Sequence, residues 1–163
     1  KLLELYLKKE LSGLNKKNIV FKAIGELESL PMNIRGLISE SERVTSSNQG
    51  MTLVTALSYS GRNEIVRAVR RMMDEGYGSQ EISEDLLNSH LDTAGLPPPD
   101  LIIRTSGEIR LSNFLLWQSA YAELYFTDTF WPDFDREELM LAIQVYQSRE
   151  RRFGGITARP HAS

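Results

Sequence analysis

The chain has 163 residues, of which 41% are hydrophobic and 25% charged, a composition typical of a globular domain rather than a disordered chain. Its 19 basic and 22 acidic residues give a net charge of −3, so no basic excess indicates a nucleic-acid-binding surface. The absence of cysteine excludes disulfides, thiolate zinc sites and cysteine nucleophiles, and the two histidines are too far apart in the sequence for a histidine-rich metal cluster. No apolar run reaches the roughly 20 residues that span a bilayer. The length predicts a single domain over residues 1–163.

Helix and strand patterns alternate along the chain. The sequence predicts strands over 19–24, 51–57, 100–104 and 123–126. It predicts helices over 1–14, from about 31, between 61 and 76, over 83–91 and after 135, and a short helix over 112–118. A flexible tail is expected over 156–163. This alternation predicts an α/β fold with a mainly parallel sheet flanked by helices. Ligands of open parallel sheets bind beyond the carboxyl ends of the strands, where the loops 58–62 and 105–112 are expected.

Apolar spacing also predicts which helix faces are buried. In the helix after Gly61, the residues expected on the buried side are Ile65, Val69, Met72 and Met73. The charged residues of that helix, expected on a solvated face, are Arg67, Arg70 and Arg71. His90 is likewise expected on a helix surface, and the apolar strand over 51–57 is expected to be covered on both faces.

The segment over 100–113 combines groups that suit a phosphate or diphosphate ligand. Arg104 ends a predicted strand, Arg110 follows a loop that contains glycine, and Ser112 begins a predicted helix whose free N–H groups favour an anion. The alternative interpretation is structural, with an arginine that pairs with Glu108 or with a helix end. No GxxxxGK[ST] loop and no GxGxxG motif is present, which disfavours the common nucleotide-binding folds.

Three further features have both a functional and a structural interpretation. Glu123, at the start of the strand over 123–126, is a candidate Mg²⁺ ligand beside a diphosphate, or else a surface carboxylate. The run over 151–155 is either an anion-binding patch or a helix C-terminus with its usual cations and glycine. The alternating residues of strand 51–57, which line either a ligand cavity or the plain core, are Met51, Leu53 and Thr55.

Long and specific motifs occupy the second half of the chain. They are Arg-Thr-Ser-Gly-Glu-Ile-Arg-Leu-Ser-Asn-Phe-Leu-Leu-Trp-Gln at 104–118, Trp-Pro-Asp-Phe-Asp at 131–135 and Arg-Glu-Arg-Arg-Phe-Gly-Gly at 149–155, with a weaker Ser-Tyr-Ser-Gly-Arg at 58–62. Together they resemble the cis-prenyltransferases, and specifically the bacterial undecaprenyl diphosphate synthases. The resemblance extends over the whole chain through Gly155.

The resemblance implies a Mg²⁺-dependent transferase that condenses isopentenyl diphosphate onto an allylic diphosphate such as farnesyl diphosphate. The product would be a long-chain polyprenyl diphosphate such as undecaprenyl diphosphate, the lipid carrier precursor for cell wall synthesis. By resemblance, the residues that bind the diphosphate are Arg104, Arg110 and Ser112, completed across a homodimer interface by Arg152 and Gly154. Glu123 takes the position of the metal ligand, and Met51, Leu53 and Thr55 line the tunnel for the growing chain. The implied location is cytoplasmic, with peripheral membrane contact for product release.

The chain departs from the family pattern at its beginning. It contains neither a Met-Asp-Gly-Asn-Gly-Arg motif, which carries the essential aspartate, nor a Ser-x-Glu-Asn-Trp segment. We therefore expect the C-terminal part of a longer prenyltransferase domain, inactive by itself. Ile109 stands where some members have histidine, and Ser58 and Ser60 replace the common asparagine and glycine. Two alternatives are a non-catalytic partner subunit of a prenyltransferase and a diphosphate-binding regulatory module.

Overall fold

The structure is a computed structural model that describes residues 2–149. Within it the chain forms two compact units. The first comprises the chain up to Pro97 together with Asn113–Trp117, and the second comprises Pro98–Ser112 and the chain from Gln118 onwards. The single domain over 1–163 stays a prediction, and the predicted tail over 156–163 lies outside the described residues.

The first unit contains a parallel strand pair and four helices among its described residues. The elements in chain order are α1 (Leu2–Lys16), β1 (Val20–Ile24), α2 (Met32–Thr45), β2 (Thr52–Ala56), α3 (Gly61–Asp74) and α4 (Glu84–His90). Strands β1 and β2 pair from Val20 opposite Thr52 to Ile24 opposite Ala56. Helices α1 and α2 pack against each other and against β1, and α3 packs on α4. The core cluster consists of Leu7, Phe21, Ile34 and Ile38.

The second unit contains the other parallel pair. Strand β3 (Leu101–Arg104) pairs with β4 (Glu123–Phe126), and Leu101 lies opposite Glu123. Helix α5 (Arg136–Ser148) contacts β4. Asp135 caps α5, because its carboxylate accepts the backbone N–H groups of the first helical turn, and α5 begins where the sequence predicts the last helix.

Three expectations about α3 and α4 are wrong. The buried residues of α3 are Gly61, Glu64, Ala68 and Met72, whereas Met73 and Val69 are exposed. Arg67 is not on a solvated face, because its side chain is 16% exposed and pairs with Asp92. His90 is also mostly covered, with 10% of its side chain exposed, and its Nε2 lies 3.0 Å from a Glu75 carboxylate oxygen. The interior of this unit thus contains charged groups that apolar spacing cannot reveal.

The short helix predicted over 112–118 is absent. Residues 112–117 form turns, and a short 3₁₀ helix follows at Gln118–Tyr121. Ser112, Asn113 and Leu115 have φ values of 48°, 65° and 45°, and a right-handed helix cannot continue through residues in the left-handed region. Ser112 therefore begins no helix, and the anion-binding helix N-terminus expected there does not exist.

Candidate functional site

The carboxyl end of β3 brings Arg104 and Ser112 together. Arg104 Nη1 donates to Ser112 Oγ at 2.9 Å and also to the backbone carbonyl of Arg110. Among residues 2–149, no carboxylate pairs with the Arg104 guanidinium, so its charge faces only neutral acceptors. An unneutralised guanidinium beside a hydroxyl group suits a diphosphate oxygen, which gains charge-assisted hydrogen bonds there.

Arg110 has a different environment. Its guanidinium is well exposed and pairs with Glu108, as the structural interpretation of the sequence allowed. The backbone carbonyl of Arg110, rather than its side chain, accepts the hydrogen bond from Arg104. A diphosphate that engages both arginines must therefore compete with Glu108 for the Arg110 side chain.

Two hydrogen bonds hold the loop after β3 against the chain that follows β4. The N–H of Ser106 donates to the carbonyl of Thr129, and the N–H of Gly107 donates to the carbonyl of Thr127, both at 2.9 Å. Gly107 has a φ of +71°, and a Cβ at this position would lie 3.0 Å from Asp128 Oδ1. This backbone conformation favours glycine, and the two backbone hydrogen bonds hold the loop in place.

Glu123 lies at the other end of the same strand pair. It is opposite Leu101 in the register, three residues from Arg104, which corresponds to about 10 Å at roughly 3.3 Å per residue. Its Oε2 accepts a hydrogen bond from Arg149 Nη1 at 2.6 Å. Within the described residues, no group of three His, Cys, Asp or Glu side chains is placed to hold a metal ion. A lone carboxylate that is already paired does not fit a Mg²⁺ site by itself, since Mg²⁺ requires near-octahedral oxygen coordination.

The predicted tunnel residues lie along β2 in the first unit. Met51 precedes the strand and is 63% exposed, and Leu53 is 39% exposed. Leu53 lies beside the core residue Phe21 in the register, and Thr55 lies beside Ala23. The expected cover on both faces of β2 is not found in the described part of the chain, because its first two residues are exposed.

Asn113 is a residue that the sequence analysis did not single out. Its backbone carbonyl accepts the N–H of Gly61 at 2.8 Å, and its side-chain oxygen accepts the N–H of Arg62 at 2.9 Å. Its amide nitrogen donates to Ser60 Oγ at 2.6 Å. One side chain and its backbone thus hold three consecutive residues at the start of α3. Asparagine adopts positive φ more readily than most residues, but the sequence does not show that Asn113 does so.

The first turn of α3 also contains a buried carboxylate, that of Glu64. Glu64 is fully buried, and it accepts hydrogen bonds from the Tyr59 hydroxyl at 2.5 Å and from the backbone N–H of Asp92 at 3.0 Å. Burial, followed by the hydrogen bond to Glu64, raises the pKa of Tyr59 well above its ordinary value. The phenol therefore stays protonated and donates to Glu64 at physiological pH.

Asp92 connects this carboxylate to two cations and to β1. Its side chain is 7% exposed and pairs with Arg67 and, at 2.7 Å, with Arg71. It also accepts the backbone N–H of Gly25 at 3.1 Å, directly after β1. A Cβ at Gly25 would lie 2.0 Å from the carbonyl oxygen of Leu57, so the ends of β1 and β2 approach closely here.

Two predicted site residues, Arg152 and Gly154, lie outside the described residues. In the described part of the chain, no helix is both long enough and apolar enough to cross a membrane.

Comparisons with known proteins agree on one family. A family model described as "Putative undecaprenyl diphosphate synthase" matches residues 1–154. The isoprenyl transferase of Brucella abortus is 48% identical over 165 residues, which cover 99% of this chain and 65% of the relative. That of Porphyromonas gingivalis is 50% identical over 149 residues, which cover 89% of this chain and 59% of the relative. The chain thus spans less than two thirds of the length of these curated relatives.

Two solved structures are similar to this chain. Lavandulyl diphosphate synthase from Lavandula x intermedia, in complex with dimethylallyl diphosphate, matches with a TM-score of 0.87 and 37% identity over 93% of this chain and 68% of that chain. A probable undecaprenyl diphosphate synthase from Campylobacter jejuni matches with a TM-score of 0.84 and 36% identity over 94% of this chain and 71% of that chain. The α/β fold and the family resemblance predicted from the sequence are confirmed. The chain belongs to the undecaprenyl diphosphate synthase family of prenyltransferases.

Proposed function

We propose that the full-length protein condenses isopentenyl diphosphate onto an allylic diphosphate such as farnesyl diphosphate. The product would be a long-chain polyprenyl diphosphate such as undecaprenyl diphosphate, with new double bonds of cis geometry. The observation that carries the proposal is the contact of Arg104 with Ser112 at the end of β3, in a loop that backbone hydrogen bonds of Ser106 and Gly107 hold in place. Membership of the family supports the reaction class.

Three side chains at this end of β3 bind the diphosphate in the proposed reaction. Arg104 binds one diphosphate oxygen of isopentenyl diphosphate, because its charge is unpaired among the described residues. Ser112 Oγ accepts from Arg104, so its own hydrogen remains to donate to the same ligand. Arg110 exchanges Glu108 for the ligand and adds a second cation. Fixing the diphosphate in this way orients the double bond of isopentenyl diphosphate for attack on the allylic carbon.

Two further parts of the site rest on the resemblance. Arg152 and Gly154 would complete the diphosphate site across a homodimer interface. Glu123 would be one Mg²⁺ ligand, after Arg149 releases it and when diphosphate oxygens supply other ligands. Mg²⁺ supplies positive charge for the leaving diphosphate when it is bound. The inactivity of this chain by itself stays a prediction, as does the cytoplasmic location with peripheral membrane contact.

The tunnel proposal concerns the length of the product. Met51, Leu53 and Thr55 would line the cavity for the growing chain, and the exposure of Met51 and Leu53 is consistent with a surface that meets another apolar group. Met51→Ala in the full-length enzyme should lengthen the products, because it opens space at the wall. Met32→Ala, at an exposed position on α2, is the control. An unchanged product distribution would show that Met51 does not limit chain length.

A second candidate is a short-chain synthase that uses dimethylallyl diphosphate. The observation that favours it is the TM-score of 0.87 to lavandulyl diphosphate synthase. Incubation of the full-length protein with isopentenyl diphosphate and either allylic diphosphate, followed by chromatography of the products, separates the two candidates. If neither combination gives a product, the protein is a partner subunit or a binding module instead.

The diphosphate assignment is tested on Arg104. Arg104→Ala should weaken isopentenyl diphosphate binding by roughly ten- to a hundredfold, since hydrogen bonds to charged groups are worth about 1.5–3 kcal/mol. Arg43→Ala, which removes an exposed arginine that pairs with Glu40, is the matched control and should leave binding unchanged. An unchanged KM and kcat for Arg104→Ala would refute the assignment.

A further inference from the structure

The turn after β4 makes three backbone hydrogen bonds to the chain that carries the proposed diphosphate site. The N–H of Thr127 donates to the carbonyl of Arg104 at 3.0 Å, and the carbonyl of Thr127 accepts the N–H of Gly107 at 2.9 Å. The carbonyl of Thr129 accepts the N–H of Ser106, also at 2.9 Å. All of these residues belong to the second compact unit. The turn therefore fixes the backbone where the loop over 105–112 begins.

Two successive residues of this loop hold a backbone conformation that depends on such support. Ser106 and Gly107 have φ values of 74° and 71°. Glycine adopts this left-handed conformation readily, whereas a serine keeps it where surrounding contacts determine it. The hydrogen bond from the Ser106 N–H to the Thr129 carbonyl is such a contact. The orientation of that carbonyl therefore controls the conformation of Ser106.

The side chain of Thr127 holds the backbone of Thr129. Thr127 Oγ1 accepts the N–H of Thr129 at 3.2 Å, in the local turn that threonine hydroxyls form with the residue two positions further on. The hydroxyl hydrogen can be donated to Thr129 Oγ1 at 3.1 Å or to a Glu138 carboxylate oxygen at 3.4 Å. Both threonines are partly buried, so water would replace these hydrogen bonds incompletely. Removal of the Thr127 hydroxyl would thus release Thr129 and, with it, the support of Ser106.

We infer that Thr127 is a positioning residue for diphosphate binding: its hydroxyl orients the Thr129 carbonyl, which holds Ser106 in its left-handed conformation and so sets the course of the loop. Arg104 precedes this loop and Ser112 ends it, and their side chains form the contact to which the diphosphate is assigned. The inference rests on the proposed function, because the ligand is the diphosphate assigned there. Thr127 itself touches no reacting atom in this scheme.

The experiment uses the full-length protein and compares two substitutions of Thr127. Thr127→Val keeps the shape of the side chain but removes the hydroxyl, and it should raise the KM and the calorimetric Kd for isopentenyl diphosphate by roughly five- to twentyfold. The kcat should change by less than about threefold, since Thr127 makes no contact that exists only in the transition state. Thr127→Ser keeps the hydroxyl and should restore both constants to within about twofold of the wild type. Ser46→Ala is the control, because it removes a hydroxyl that donates to a backbone carbonyl at the end of α2, and it should leave both constants unchanged.

Amide hydrogen exchange without ligand is the second readout. In the wild type, the N–H groups of Ser106 and Gly107 should be protected, because carbonyl groups of the turn accept them. In Thr127→Val, exchange in the peptide over 104–112 should become about fivefold faster or more, whereas the peptide over 140–147 in α5 should keep its rate. A general loss of stability would accelerate exchange in both peptides, so the comparison separates positioning from a merely structural effect.

The outcomes separate this inference from the proposed function. An unchanged KM and Kd in Thr127→Val, loop exchange equal to that of the wild type, or failure of Thr127→Ser to restore binding would each overturn the role of Thr127. Unprotected Ser106 and Gly107 amides in the wild type would overturn it as well, and that measurement requires no variant to fold. If Thr127→Val does not fold, Thr127→Ala removes the same hydroxyl with less bulk and takes its place in the comparison. If the wild type forms no prenyl product, the proposed function fails, whereas the loop exchange and the Kd for isopentenyl diphosphate still decide whether Thr127 positions a diphosphate site.

Discussion

The side-chain oxygen of Asn113 accepts the backbone N–H of Arg62 at 2.9 Å, across 51 positions of the sequence. Helix α3 begins after Ser60, whose own side chain caps no N–H group of the helix. A distant residue therefore performs the task that a local N-cap residue normally performs. The Asn113 amide nitrogen also donates to Ser60 Oγ. The side chain of Asn113 thus binds both the residue that precedes α3 and the second residue of the helix.

This relationship predicts a loss of stability on substitution. Asn113→Ala should lower the free energy of unfolding by about 1–2 kcal/mol, because the backbone N–H of Arg62 at the start of α3 loses its acceptor. Asn63→Ala, also in α3, removes a long 3.4 Å hydrogen bond to Glu26. It is the control and should change the free energy of unfolding by less than about 0.5 kcal/mol. Denaturant unfolding measures both, and equal midpoints for the two variants would contradict the capping role.

Gly107→Ala should distort the loop after β3. Its φ of +71° is unfavourable for alanine by about 1–2 kcal/mol, and the new Cβ would lie against the Asp128 carboxylate. We expect weaker binding of isopentenyl diphosphate in addition to lower stability. Gly36→Ala is the matched control, because a Cβ in α2 meets no atom within 4 Å and should raise stability by about 0.5–1 kcal/mol. Wild-type affinity in Gly107→Ala, measured by calorimetry, would show that the loop needs no glycine.

Mg²⁺ alone should not bind at Glu123. Arg149 already neutralises this carboxylate, and Mg²⁺ gives up its water ligands only for several oxygen donors. Calorimetry should show binding only after a diphosphate is added, and Arg149→Gln should strengthen that binding by freeing Glu123. Arg136→Gln, at the start of α5, is a control for the loss of one positive charge. Tight Mg²⁺ binding to the wild type without diphosphate would contradict this account.

His90 should make stability depend on pH. The hydrogen bond to Glu75, followed by that to the Leu86 carbonyl, raises the pKa of His90 above its ordinary value of 6.5. A group whose pKa is higher in the folded state contributes stability that is complete below the unfolded pKa and is lost as the pH rises through the folded pKa. The free energy of unfolding should therefore fall from about pH 6 upwards through the raised pKa of His90. This dependence should be weaker in Glu75→Gln, and an identical pH profile for the variant would refute the contribution.

Local patterns in the sequence were sufficient for the regular elements. The four strands and the helices predicted over 83–91 and after 135 follow from short-range propensities. A strand's β-branched residues act within a few positions, as do the side-chain oxygens of Ser83 and Asp135 that cap these helices. The residues Arg104 and Ser112 were also identified from their spacing, and the fold places their side chains in contact.

Tertiary structure alone decided the environment of the charged residues. Arg67 and Arg70 lie one turn apart in α3. Arg67 forms an ion pair with Asp92, 25 positions further along the chain, whereas Arg70 is exposed. Turns replace the helix expected over 112–118, and in them the Asn113 side chain forms hydrogen bonds with Ser60 and Arg62. These partners lie more than 50 positions away, so the local sequence around Asn113 does not reveal them. Hydrophobic periodicity reports which face of an element is apolar, but the pairing of buried charges depends on contacts between segments far apart in the chain. That dependence is the physical reason why the elements were predictable and the ion pairs of Asp92 were not.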